Sequence, residues 1–184
     1  MNDDLVDAAL DRLVGQLAAL GRVRVWADAA AAAADTSDPD APAADATADW
    51  PAAAVAFLAA HPQMAADAGY RRCLQRLGGI TVSRPAAWFG LNVYGFDPDE
   101  WPYLPRKDQE MADRPGFDTF AHIHYKLAPE LPGPAPQLFA FSRSAPGIFR
   151  AVGDGPDEWF CDSFLAWLER VVAERAFVDG EAAP

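Results

Sequence analysis

Val6, Leu10, Leu13, Leu17 and Leu20 recur at steps of four, three, four and three, a spacing that lays one apolar stripe along a helix. Asp3, Asp4 and Asp7 stand where the helix dipole favours negative charge, and Gly21 ends the pattern. Arg22-Val-Arg-Val-Trp26 then alternates polar with apolar side chains, which predicts a short strand. Apolar material returns at Trp50, where Pro51 suits a first helical turn and Val55, Phe57, Leu58 and Met64 follow, with Pro62 interrupting or restarting the helix. A second helix is predicted over about Met64 to Leu77, with Tyr70, Cys73, Leu74 and Leu77 at helical spacing and Gly78 as its C-terminal stop.

After Gly78-Gly79 the period changes. Ile80-Thr-Val82 and Phe89 to Tyr94 are short β-prone runs, and Phe120-Ala-His-Ile-His-Tyr125 alternates with period two. Leu138 to Phe141 and Gly147 to Val152 read as a hairpin with a five-residue connection, Arg143 excepted a run of small residues and proline. The last element is a helix with Phe160, Phe164, Trp167, Leu168 and Val171 on one wide apolar face, capped by Ser163, Asp162 or Asp157. This order predicts an α+β fold: a mostly antiparallel sheet flanked by helices, with an N-terminal helical appendage.

Residues 28–49 break the pattern, being rich in Ala and Asp with no base and no large apolar side chain. Such a segment buries too little surface to offset its ordering entropy. The expected organisation is an N-terminal helix and extended segment over 1–27, a linker over 28–49, the α+β domain over 50–176 and a tail over 177–184. The full length of 184 residues suits one domain with its own core.

Charge narrows the partners. The net charge is −12; residues 1–50 carry 10 acids against 3 bases, and the remainder 17 against 12. Such a field repels nucleic-acid phosphates and anionic membrane surfaces and draws in cationic partners. No run reaches the ~20 apolar residues of a membrane span, and Met1-Asn2-Asp3-Asp4 lacks the basic start of a secretory signal. A cytoplasmic location is expected, in which Cys73 and Cys161 stay as reduced, packed thiols.

Candidate chemistry is sparse. His122 and His124 stand at i and i+2 on a strand, so both imidazoles share a face. A zinc or iron site needs a third ligand, which only distant His61 or a carboxylate supplies. The preferred reading places both rings on a solvated face while Ala121, Ile123 and Tyr125 pack inward; a metal-dependent enzyme using the pair is the lesser alternative. Ser142, Ser144 and Ser163 lack a nucleophile-elbow setting, and acids follow Gly153-Asp-Gly155 where a phosphate would need bases. No catalytic residue, metal ligand or cofactor is therefore assigned. Trp88, Asp97, Asp99, Glu100, Trp101 and Tyr103 mix aromatics with acids in and before a long Pro-rich loop. Either they form a partner-binding surface or the aromatics complete the core.

Three segments together resemble the SUKH superfamily, which includes bacterial toxin-immunity proteins and fungal regulators of cell-wall synthesis. They are Gly69-Tyr-Arg-Arg-Cys-Leu-Gln-Arg-Leu-Gly-Gly79, Asp162-Ser-Phe-Leu-Ala-Trp-Leu168, and the Leu138 to Ser142 and Gly147-Ile-Phe149 pair. The match spans about Trp50 to Glu174. Ala68-Gly69 stands where the family has Leu-Pro, and Asp97 to Phe117 is longer than the family's usual inter-strand connection. The resemblance implies a non-enzymatic protein that binds and neutralises a cognate protein toxin; a general protein-binding or scaffolding module is the alternative reading. A basic nuclease is the toxin class that the acidity suits.

Overall fold

The computed structural model describes residues 2–19, 21–25, 50–84, 89–95, 116–125, 137–152 and 157–173. Five helices and seven strands occupy them: α1 (Asp3–Leu17), β1 (Arg22–Val25), α2 (Trp50–Ala60), α3 (Pro62–Ala66), α4 (Ala68–Leu77), β2 (Ile80–Arg84), β3 (Phe89–Val93), β4 (Phe117–Tyr125), β5 (Gln137–Ser142), β6 (Ile148–Val152), β7 (Glu158–Cys161) and α5 (Phe164–Ala173). The strands form one sheet in the order β1 to β7, every neighbouring pair antiparallel. The fold is α+β, as the order of patterns predicts.

Register decides which side chains meet the helices. Val23, Val82, Leu91 and Ile123 are matched across β1 to β4, and Val25, Ile80, Val93, Ala121 and Phe139 across β1 to β5. Because opposed residues on antiparallel strands point to the same side, these rows line one face. Against it lie Tyr70 and Leu74 of α4 and Phe164, Trp167 and Leu168 of α5, all buried. Phe120 centres the packing, its ring centroid 5.1 Å from Trp167, 4.9 Å from Phe141 and 5.3 Å from Tyr70. A β-bulge between Thr119 and Ala121 turns Phe120 to this side without shifting its neighbours off their rows.

The expected N-terminal helix is present and docked. Val6, Leu10, Leu13 and Leu17 of α1 are fully buried in the common core, and its rim is pinned by charge. Arg72 of α4 donates to both oxygens of Asp7 at 2.9 and 2.7 Å, and Arg76 reaches Asp11 at 2.9 Å. The Arg72 hydrogen bond holds the Asp7 carboxyl below its ordinary range despite partial burial. β1 continues the sheet at its edge beside β2.

Two boundaries differ from the sequence pattern. The helix expected from Met64 to Leu77 is broken at Asp67, whose backbone is extended (φ −77, ψ 108), so Met64 belongs to α3 and Tyr70 to α4. Phe160, expected on the last helix, belongs to β7, an unforeseen strand paired with β6, and α5 begins at Phe164. Gly78 ends α4 in the left-handed region at φ 66, as expected. Among the described residues no helix is long and apolar enough to cross a membrane.

Candidate functional site

All six residues expected to bind a partner, Trp88, Asp97, Asp99, Glu100, Trp101 and Tyr103, lie outside the described residues. The structure does place the backbone that brackets most of them. The chain is held at Tyr94, whose N–H donates to the Phe120 carbonyl (2.8 Å), and again at Gly116, whose carbonyl accepts from the Arg143 N–H (2.8 Å). Both anchors stand at the end of the sheet where β5 turns into β6.

That end is stiffened by a buried carboxylate. Asp118 opens β4 with its side chain 1% exposed, and a lone charge there would be costly. Arg143 Nε donates to its Oδ1 at 2.7 Å, and His61 Nδ1 lies 3.1 Å from the same oxygen. His61 is itself fixed, its ring stacked on Phe57 at 4.0 Å and its backbone at the start of α3. Asp118 therefore ties the α2–α3 junction to the β5–β6 turn. Its other oxygen, Oδ2, has no hydrogen-bond partner among the described residues.

A second polar group crosses the face of the sheet away from the helices. Thr81 donates to Asn92 Oδ1 (3.2 Å), and Asn92 Nδ2 lies 3.0 Å from His122 Nε2. Since the amide nitrogen can only donate, Nε2 accepts and the ring proton sits on Nδ1, 3.0 Å from the Tyr94 hydroxyl. Asn92 and His122 are 6% and 5% exposed. This corrects the expectation of solvated imidazoles: Ala121 and Ile123 do pack inward, but His122 is covered as well, and both its ring nitrogens are engaged. The side chains of His124 and Tyr125 lie outside the described part. Among the described residues no group of three His, Cys, Asp or Glu is placed to hold a metal.

The feature that sequence reading missed is Asp67. Its Oδ1 accepts from the Tyr70 N–H and its Oδ2 from the Phe164 N–H, each at 2.8 Å. One carboxylate thus caps α4 and α5 together, although the two partners stand 94 residues apart in sequence (164 minus 70). Burial pushes the Asp67 carboxyl above its ordinary range, against the pull of these N–H donors. Ser163 completes the α5 cap by accepting from the Ala166 N–H at 3.3 Å. Asp67-x-x-Tyr70 has the spacing of a helix cap, and that was the one local signal available.

Between the two helix starts and the β5–β6 turn lies a depression of about 280 Å³ walled by Asp67, Gly69, Phe141, Gly147, Asp162 and Leu165. Its volume is just below the ~300 Å³ at which organic-ligand pockets begin and suits a single protein side chain. Neither thiol is nucleophilic: burial raises Cys73 strongly and Cys161 to about 11, which leaves little thiolate at neutral pH. Tyr70 is likewise pushed above its ordinary value by burial. Asp67 serves helix caps, Asp118 an ion pair, and Thr81, Asn92 and His122 a sheet-crossing network. The chain matches no family model, no curated protein and no solved structure.

Proposed function

We propose that this chain is a non-enzymatic, immunity-type protein that binds and neutralises a cognate bacterial protein toxin in the cytoplasm. The observation that carries the reading is where the three SUKH-like segments lie in space. Gly69 of the first packs on Leu165 of the second so closely that a Cβ at Gly69 would stand 2.8 Å from Leu165 Cγ. Tyr70 of the first contacts Phe164 of the second and Phe141 of the third, with centroids 5.4 Å apart in each case. Segments far apart in sequence thus build one unit, as a shared fold requires.

Chemistry points the same way. His122 is engaged at both nitrogens and the thiols are protonated, while the surface charge of −12 favours encounter with a basic protein such as a nuclease. Neutralisation then needs only occlusion of the toxin's active site or of a neighbouring surface. Affinity capture from the native cell, followed by co-expression of the captured protein with this chain, tests the reading. The expected result is a protein that arrests growth alone and is harmless when this chain is present. Growth arrest that persists despite co-expression and complex formation would reject it.

A further inference from the structure

We propose that Trp159, with Phe149 and Phe117 beside it, is the docking surface for an arginine-bearing segment of a basic partner protein. The proposal rests on the reading above that the partner is basic, and adds where on this chain it binds. Trp159 is 58% exposed, the largest side chain among the exposed apolar residues described. Water contact over an indole is unfavourable by tens of cal/mol for each Å², and a large aromatic held in this way is a common interface anchor.

Its position is built. Trp159 lies opposite Phe149 in the β6–β7 register, and Phe149 meets Phe117 edge-on at 5.5 Å across β5, where the small Ala140 leaves room. The three rings share the face of the sheet away from the helices. Gly147 seats the indole: a Cβ there would stand 2.9 Å from Trp159 Nε1, and the backbone at φ +102 independently favours glycine. The ring is therefore held before any partner arrives, which lowers the ordering cost of binding.

Charge selects the occupant. Exposed Asp162 shares with Gly147, the residue under the indole, the wall of the neighbouring depression. Glu158 points to the other face, where it accepts from Arg150 at 3.1 Å, and takes no part. An exposed indole on a chain of net charge −12 suits a guanidinium, which stacks on the ring while the acidic field draws it in. A second copy of this chain carries the same net charge of −12, so like charges oppose self-association. Strand addition to β7 is also disfavoured, because this edge is four residues long and bulged.

The test follows the six tryptophan indole N–H signals of the full chain by NMR during titration with octa-arginine. The Trp159 signal should move most, and Trp159→Ala should weaken binding roughly two- to fivefold, the range expected for a cation stacked on an exposed ring. Asp162→Lys should weaken it further. Equal movement of all six signals with unchanged affinity in Trp159→Ala would overturn the proposal in favour of diffuse attraction by the acidic field. Trp159 shifts that depend on chain concentration without peptide would overturn it in favour of a second copy. Octa-arginine binding at Trp159 without any toxin neutralisation would reject the functional reading alone. Toxin binding undiminished by Trp159→Ala would reject this surface alone.

Discussion

Asp67 joins two helices through a single carboxylate. An ordinary helix cap contributes about 1 kcal/mol, and here Oδ1 serves Tyr70 N–H while Oδ2 serves Phe164 N–H, both in a partly buried setting. Asp67→Ala removes both acceptors and should cost about 2–4 kcal/mol; Asp67→Asn retains one carbonyl acceptor and should cost about half as much. Urea unfolding monitored by circular dichroism checks this, and a loss below ~0.5 kcal/mol for the alanine variant would remove the double cap from the account. Asp118 sets a similar test of opposite logic. Arg143→Ala leaves the buried carboxylate with His61 alone, whereas Asp118→Asn removes the charge that needs a partner. Arg143→Ala should therefore destabilise by about 2–4 kcal/mol, and the Asp118→Asn, Arg143→Ala double variant by less than the sum of the two single variants. A thermodynamic cycle on these variants measures the difference.

Elements were legible where a local period carried them. The stripe of α1, the alternation of β4, the five-residue turn between β5 and β6 and the Gly78 stop are each written in neighbouring residues. β7 was hidden because Phe160 also falls four residues before Phe164, so a strand residue completes a helical stripe. The break at Asp67 was hidden because half of its reason, the Phe164 N–H, is remote in sequence. Alternation also placed His122 opposite Ala121 and Ile123 but said nothing of whether that face is covered. The six expected interface residues draw no support from the structure, since they lie outside its described residues. The docking of α1 carries a pH signature of its own. Asp7 has a folded pKa held below its ordinary 3.8 by Arg72, so its contribution is fully present above the unfolded value and is lost as pH falls through the folded one. Wild type should exceed Asp7→Asn in stability at neutral pH, and the gap should close below about pH 3.8. Thermal melts between pH 7 and 2 follow this, and a gap unchanged at pH 2 would contradict it.

The described residues form a packed α+β body in which Asp67, Asp118 and His122 are engaged internally, within the acidic field of a chain of net charge −12. A field of this kind raises association rates with basic proteins and is screened over about 10 Å at 0.1 M salt. Association with the cognate toxin should therefore slow several-fold between 50 and 300 mM salt, while dissociation changes less; stopped-flow mixing at several salt concentrations checks this. The most direct test of the central claim is the activity of that toxin measured as purified chain is added. Binding that neutralises predicts inhibition rising linearly and complete near one equivalent, with no consumption of this chain and no substrate turnover by it. Full toxin activity at a tenfold excess of the chain would contradict the account.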